Sequence, residues 1–116
     1  MSDFFVTAQK IAEKTLGKKY SLSFSFISPA EIKKLNLIYR GKNKATDILS
    51  FPLSKNEGEI FICKSEARKE AKKFGRKYDN FLLFLFIHGC VHLKGFDHSA
   101  TMEGIELKIR KQWHVQ

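Results

Sequence analysis

Cysteine is nearly absent from this chain: 116 residues contain two. There is no Cys-x-x-Cys pair, which excludes a thiolate zinc knuckle, and two cysteines are too few for a disulfide-built scaffold. Cys63 and Cys90 both lie in apolar runs, IFIC and GCVHL, so they are expected to be buried, unpaired thiols of a reduced compartment. Long hydrophobic runs are missing too. The longest, Phe81 to Ile87, has seven residues, against the roughly 20 that a membrane span needs. The opening MSDFFVTAQKIAEK lacks the apolar centre of a secretion signal. These absences lead us to expect a soluble, cytoplasmic protein with no membrane partner. Linkers, internal repeats and low-complexity tracts are also lacking, and the length suits one domain spanning residues 1–116.

Acidic residues are in short supply. Twelve Asp and Glu face 21 Lys and Arg, a formal charge of +9. An excess of that size, spread along the chain, favours a polyanionic partner, with nucleic acid the first choice. Apolar residues make up 43% of the chain and include 11 Phe, enough for a packed core.

The patterning predicts short strands followed by helices, an α+β domain with a mixed sheet of three to four strands flanked by about five helices. Phe4, Ala8, Ile11, Ala12 and Thr15 fall at helical spacing within residues 3–16. Residues 20–28, YSLSFSFIS, alternate apolar and serine positions as a half-buried strand does. Ser28, Pro29 and Glu31 then open a helix with a capping box, and Ile32, Leu35 and Ile38 or Tyr39 supply its apolar face. A basic loop from Arg40 to Thr46 leads into the strand DILSFPL, which Pro52 is expected to close. After a turn over 54–58, EIFIC is apolar on both faces and reads as a central strand. Residues 65–74 form a charged helix burying Ala67, Ala71 and Phe74. Asp79 or Asn80 caps a helix over 81–94 that is apolar nearly all round, hence central. The last helix runs from Thr101 to Trp113, with Met102, Ile105, Ile109 and Trp113 on one side.

Three of the four histidines fall in FIHGCVHLKGFDH as H-x-x-x-H-x-x-G-x-x-H. His88 and His92 are four apart on a helix and so share a face. Gly95 suits the left-handed turn that ends a helix, and His98 follows three residues later. Three imidazoles leave a fourth position open, the mark of a catalytic rather than a structural zinc. We expect one Zn2+ per chain, held by His88, His92 and His98 on the central helix and its end. His114 stands apart and reads as a surface residue. The same spacing serves zinc peptidases, but those carry a catalytic carboxylate where this chain has Gly89. Gly89 either lets a strand or loop approach the helix or leaves room beside the metal, and both remain open at this point.

HGCVHLKGFDH resembles the H-G-x-x-H-L-x-G-[YF]-D-H motif of the YbeY family, bacterial metal-dependent endoribonucleases of ribosomal RNA maturation. LNLIYRGKNKATDILSFP resembles that family's second hallmark, a helix end, a Y-R-x-K-type loop and a D-[VI]-L-S-F-P strand. GEIFICKSEARKEA is similar to its G-[DE]-[IL]-x-I-x strand and following helix. The resemblance covers about residues 30 to 106. It implies a small α+β fold with a mixed sheet, a zinc held by the three histidines, and Arg40 as the functional arginine. It further implies cleavage of single-stranded RNA near the 3′ end of small-subunit ribosomal RNA, a part in ribosome quality control, and ribosomal small-subunit partners. Family members commonly begin with a strand before the first helix, so the sheet is expected to be one strand short here.

Charge supports the same reading. Arg40 can fork two hydrogen bonds onto a phosphate, and Lys42 and Lys44 extend a positive track suited to a backbone. Asp97, next to a ligand, is expected to orient a histidine, and Asp47 to cap or brace the strand start; either carboxylate could serve as a base. Two rivals stand beside this reading: a zinc peptidase-like hydrolase, and a non-catalytic RNA-binding assembly factor stapled by zinc.

Overall fold

The computed structural model describes residues 2–95 and 100–115. Helix α1 (Ser2–Leu16) leads into strand β1 (Ser21–Phe26), followed by α2 (Pro29–Arg40), β2 (Ile48–Ser54) and β3 (Glu57–Ile62). Helices α3 (Lys64–Lys73), α4 (Tyr78–Leu93) and α5 (Ala100–Gln112) complete the chain. The class is α+β, with five helices and a mixed three-stranded sheet in the order β1-β3-β2 among the described residues, as the pattern predicts. β3 is central: it runs parallel to β1 and antiparallel to β2.

Helix α4 is the spine of the larger core. Leu82, Ile87 and Val91 are fully buried, and Phe86 is nearly so. They pack with Ile60 and Ile62 of β3, Ala67 and Ala71 of α3, Met102 of α5, and Phe4, Ala8 and Ile11 of α1. Phe4 and Phe86 both press on Phe24 of β1, with ring centroids 5.8 and 5.2 Å away. A buried side chain of this size stabilises by about 1.5–3 kcal/mol relative to exposure, so these contacts seat α1 and β1 on α4. The other sheet face carries a smaller core, in which Ile32 of α2 meets Leu49 and Cys63. The sheet is thus sandwiched between α2 and the remaining helices. Cys63 and Cys90 are buried and unpaired as expected, and burial pushes the Cys90 thiol far up, which keeps it unreactive. Among the described residues no helix is long and apolar enough to cross a membrane.

The α2 cap forms as the pattern requires. Glu31 N–H donates to Ser28 Oγ at 3.1 Å and Ser28 N–H to Glu31 Oε1 at 3.0 Å, and those bonds lower the Glu31 carboxyl. Elsewhere tertiary structure overrides the pattern. Ile38 and Tyr39 are exposed, while Asn36 is buried beside Ile32. Pro52 does not close β2: the strand continues to Ser54, with a register shift after the Pro52–Gly58 pair. Proline is tolerated because β2 is an edge strand. The hairpin turn is accordingly shorter than expected, joining Ser54 to Glu57. Phe74 is 62% exposed instead of buried, since α3 ends before it. Helix α4 begins at Tyr78 with Lys77 as its cap, so Asp79 sits in the first turn, where a negative charge suits the helix dipole.

Candidate functional site

Helix α4 carries His88 and His92 one turn apart, their rings 6.2 Å between centroids and nearly perpendicular. Opposite them lie the end of α2, the basic loop and the start of β2. Gly41 ends α2 in the left-handed conformation (φ 69°), which turns the chain sharply. The buried Asn36 then pins the loop: its Nδ2 donates to the Lys44 carbonyl at 2.9 Å. Arg40 reaches across to β2, where Nη2 donates to the Ser50 carbonyl at 2.9 Å and the guanidinium lies over the Phe51 ring at 5.1 Å. One of its five N–H donors is thereby used to fix the fork in place.

These elements enclose a cleft of about 340 Å3. Arg40, Lys42 and Lys44 line it with Asp47, and His88 and His92 line it too. Two sequence features 42 or more positions apart in the chain, the basic loop and the paired histidines, therefore share one cleft. His98 and Asp97, the expected third ligand and histidine-orienting carboxylate, lie outside the described residues. Among the described residues no group of three or more His, Cys, Asp or Glu is placed to hold a metal. His114 is exposed, as expected.

A carboxylate does orient a histidine, and it is one the sequence reading passed over. Glu106 of α5, nearly buried, sits 2.5 Å from His88 Nδ1 through Oε1. A carboxylate on one imidazole nitrogen is the usual support for a histidine that binds metal through the other. The donor chemistry thus fits a zinc site in which His88 and His92 contribute two ligands. A signal for Glu106 existed: it is an acid four residues after Met102 and three before Ile109, on the side of α5 that the apolar pattern turns inward.

Asp47 immediately precedes β2 on the cleft wall. Its carbonyl accepts from Cys63 N–H at 3.0 Å, and its carboxylate accepts from the Thr46 hydroxyl at 3.4 Å. Burial, reinforced by the charge of Glu70, raises its carboxyl above the usual range.

Gly89 is buried against the sheet. A Cβ there would lie 2.9 Å from Ser50 Oγ, 3.0 Å from Ile60 Cδ1 and 3.2 Å from Ile48 Cδ1. Of the two readings of this glycine, close approach of a strand is realised. The space a peptidase carboxylate would occupy is filled by β2 and β3.

Comparison with known proteins gives a consistent result. The family model described as Endoribonuclease YbeY matches residues 2–115. The Endoribonuclease YbeY of Staphylococcus carnosus is 35% identical over 122 residues, covering 95% of this chain and 79% of the relative. That of Halalkalibacterium halodurans is 34% identical over 120 residues, covering 90% and 73%. A solution structure of a Thermotoga maritima protein superposes with a TM-score of 0.68 at 28% identity, covering 97% of this chain and 85% of that one. With residues of both hallmark motifs lining one cleft and the match running nearly end to end, the chain belongs to the YbeY endoribonuclease family.

Proposed function

We propose that this protein is a zinc-dependent endoribonuclease that cuts single-stranded ribosomal RNA. The observation that carries the reading is the cleft in which Arg40, Lys42 and Lys44 face His88 and His92. A negatively charged backbone fits such a cleft, and a peptide does not call for three cations opposite the metal ligands. The chain's relatives bear the name endoribonuclease. Gly89, closed in by the sheet, denies the site the carboxylate that peptide hydrolysis uses.

In this reading His88 and His92 hold the zinc, with His98 as third ligand, and Glu106 keeps His88 in the correct tautomer and orientation. Zinc, when bound, supplies Lewis acidity and a water that ionises near neutral pH. Arg40, fixed by Ser50 and Phe51, directs its remaining N–H donors at the phosphoryl oxygens, where charge grows as the phosphodiester is attacked. Lys42 and Lys44 hold flanking phosphates without reading sequence. Asp47, with its raised carboxyl on the cleft wall, is placed to exchange a proton with the reacting groups. We assign the biological setting as cytoplasmic maturation of the small-subunit ribosomal RNA 3′ end and ribosome quality control, in contact with small-subunit proteins.

The test combines zinc analysis with RNA cleavage under chelator control. Purified protein should contain about one zinc per chain and cut unstructured RNA, and chelation should stop cutting. Arg40→Ala and His92→Ala should remain folded and be inactive. RNA bound but never cut, with histidine variants losing stability alone, would instead identify an assembly factor stapled by zinc. Cleavage by both variants at the wild-type rate would refute the assignment.

A further inference from the structure

On the side of His88 away from the basic loop, the surface turns from charged to aromatic. His88 is shared by three adjoining depressions. Beyond the cleft already described lies one of about 580 Å3, lined by Phe74, Arg76, Phe81 and Phe84 and bordered by Asp47. Next to it is one of about 480 Å3, lined by Arg76, Phe84, Glu103, Glu106 and Arg110. Asp47 and Ile48 belong to both the first and the second, and Arg76 and Phe84 to both the second and the third. Together they make one groove that runs from Lys42 and Lys44 past the histidine face of α4 to Arg110.

The far end of this groove has the chemistry of a nucleotide. Phe74 is 62% exposed, although a phenylalanine at the end of a short helix could readily have packed inward. Lys73 Nζ stands 5.7 Å from its ring centre. Phe84 carries two guanidinium groups on its ring, Arg76 at 4.3 Å and Arg110 at 5.0 Å, and is itself stacked on Phe81 at 5.5 Å with a 17° tilt. Arg110 Nε is buried and has no hydrogen-bond partner among the described residues. A desolvated guanidinium N–H without an acceptor is costly, and an anionic oxygen entering the groove would relieve it. Rings for stacking, interleaved with cations, are what proteins use to hold single strands without sequence preference. An apolar segment of a protein partner would meet three positive charges around these two rings, Lys73, Arg76 and Arg110, so charge complementarity favours RNA.

We infer that this end of the groove is a second nucleotide subsite for the same strand. One base flanking the scissile phosphate stacks on Phe74, and its phosphate lies against Arg110 and Arg76. The inference rests on the reading of the cleft as an RNA site. It gives the strand two anchors, Arg40 with the basic loop on one side of the metal ligands and the Phe74–Arg110 platform on the other. A phosphate between them is presented to the metal ligands without any base being read by hydrogen bonds.

The experiment is fluorescence anisotropy with a labelled, unstructured 12-nucleotide RNA, with chelator present so that nothing is cut. Phe74→Ala should weaken binding about ten- to a hundredfold, the size of one lost base–aromatic stack. Arg110→Gln should weaken binding and flatten the dependence of log K on log salt by about 0.7, the signature of one lost contact to a single-strand phosphate. Circular dichroism melts check that each variant is folded; Phe74 lies off the core, so its variant carries the test if Arg110→Gln does not fold. If folded variants bind like wild type with the same salt slope, the platform is refuted while the RNA reading of the cleft stands. If Phe74→Ala instead breaks a dimer seen by sedimentation and leaves RNA affinity intact, the surface is a self-association face and the inference fails. If wild type neither binds nor cuts RNA, the reading of the cleft fails first and the platform with it.

Discussion

Arg40 is locked to Ser50: its Nη2 lies 2.9 Å from the Ser50 carbonyl oxygen. The Oγ of the same serine stands 2.9 Å from where a side chain on Gly89 would begin. Gly89 thus lets β2 come down onto α4, and β2 in turn holds the arginine at the cleft that His88 and His92 line. Gly89, next to His88 in the chain, is thereby linked to Arg40 through one residue.

Arg40→Lys tests whether the fork or the charge matters. Lysine keeps the positive charge but loses both the planar pair of donors and the grip on Ser50 and Phe51. We expect kcat/KM for RNA to fall by about 10²–10³-fold, as for removal of one preorganised donor, with KM changing less than kcat. A lysine variant with wild-type kinetics would show that a point charge suffices.

Gly89→Ala should destabilise the fold by about 1–3 kcal/mol, the usual cost of overpacking a core. The added methyl meets Ser50, Ile60 and Ile48 at 2.9–3.2 Å, two of them on β2, the strand whose Ser50 carbonyl holds Arg40. Urea unfolding measures this. Gly89→Glu, which restores the peptidase spacing, should fail to fold and gain no proteolytic activity. A folded Gly89→Glu protein as stable as wild type would contradict the packing described.

Glu106→Gln should lower zinc affinity about 10–100-fold, the range for losing a ligand-supporting carboxylate. Competition against a chromogenic chelator reads the affinity directly. Secondary structure should be unchanged, because glutamine has nearly the same volume. Unaltered zinc affinity would show that the Glu106–His88 contact serves only the packing of α5.

Asp47 gives a stability prediction with a definite sign. Burial, then the charge of Glu70, raises its carboxyl above 3.8. The folded chain therefore holds the proton more tightly than the unfolded chain does. This contribution is fully present below the unfolded pKa and is lost as pH rises through the folded one. In zinc-free protein, Asp47→Asn should raise Tm relative to wild type at pH 7, and the gain should shrink toward pH 3.5. The same gain at both pH values would rule out charge burial as its source.

Much of this protein is legible in the chain because local rules and global packing agree. The capping box of α2, the serine alternation of β1 and the apolar girth of α4 each reach the structure nearly as patterned. The errors cluster where a residue's surroundings are not local. Pro52 ends a strand by local rules but rides along an edge, because the partner it cannot serve is absent on that side. Phe74 looks like core from its helical spacing, yet α3 stops one residue earlier and leaves it in the groove.

The sequence by itself determined the ingredients of the site: two imidazoles four apart on one helix, a forked cation at the end of another, and an excess of positive charge. Helical periodicity and side-chain chemistry suffice for these, since each is a property of a few adjacent residues. Only the tertiary structure decided what they face. The descent of β2 onto Gly89, the arrival of Glu106 from α5 at His88, and the run of the cleft into the Phe74–Arg110 groove join residues distant in the chain. Such contacts depend on how closely two surfaces pack, and spacing along a chain carries no record of that.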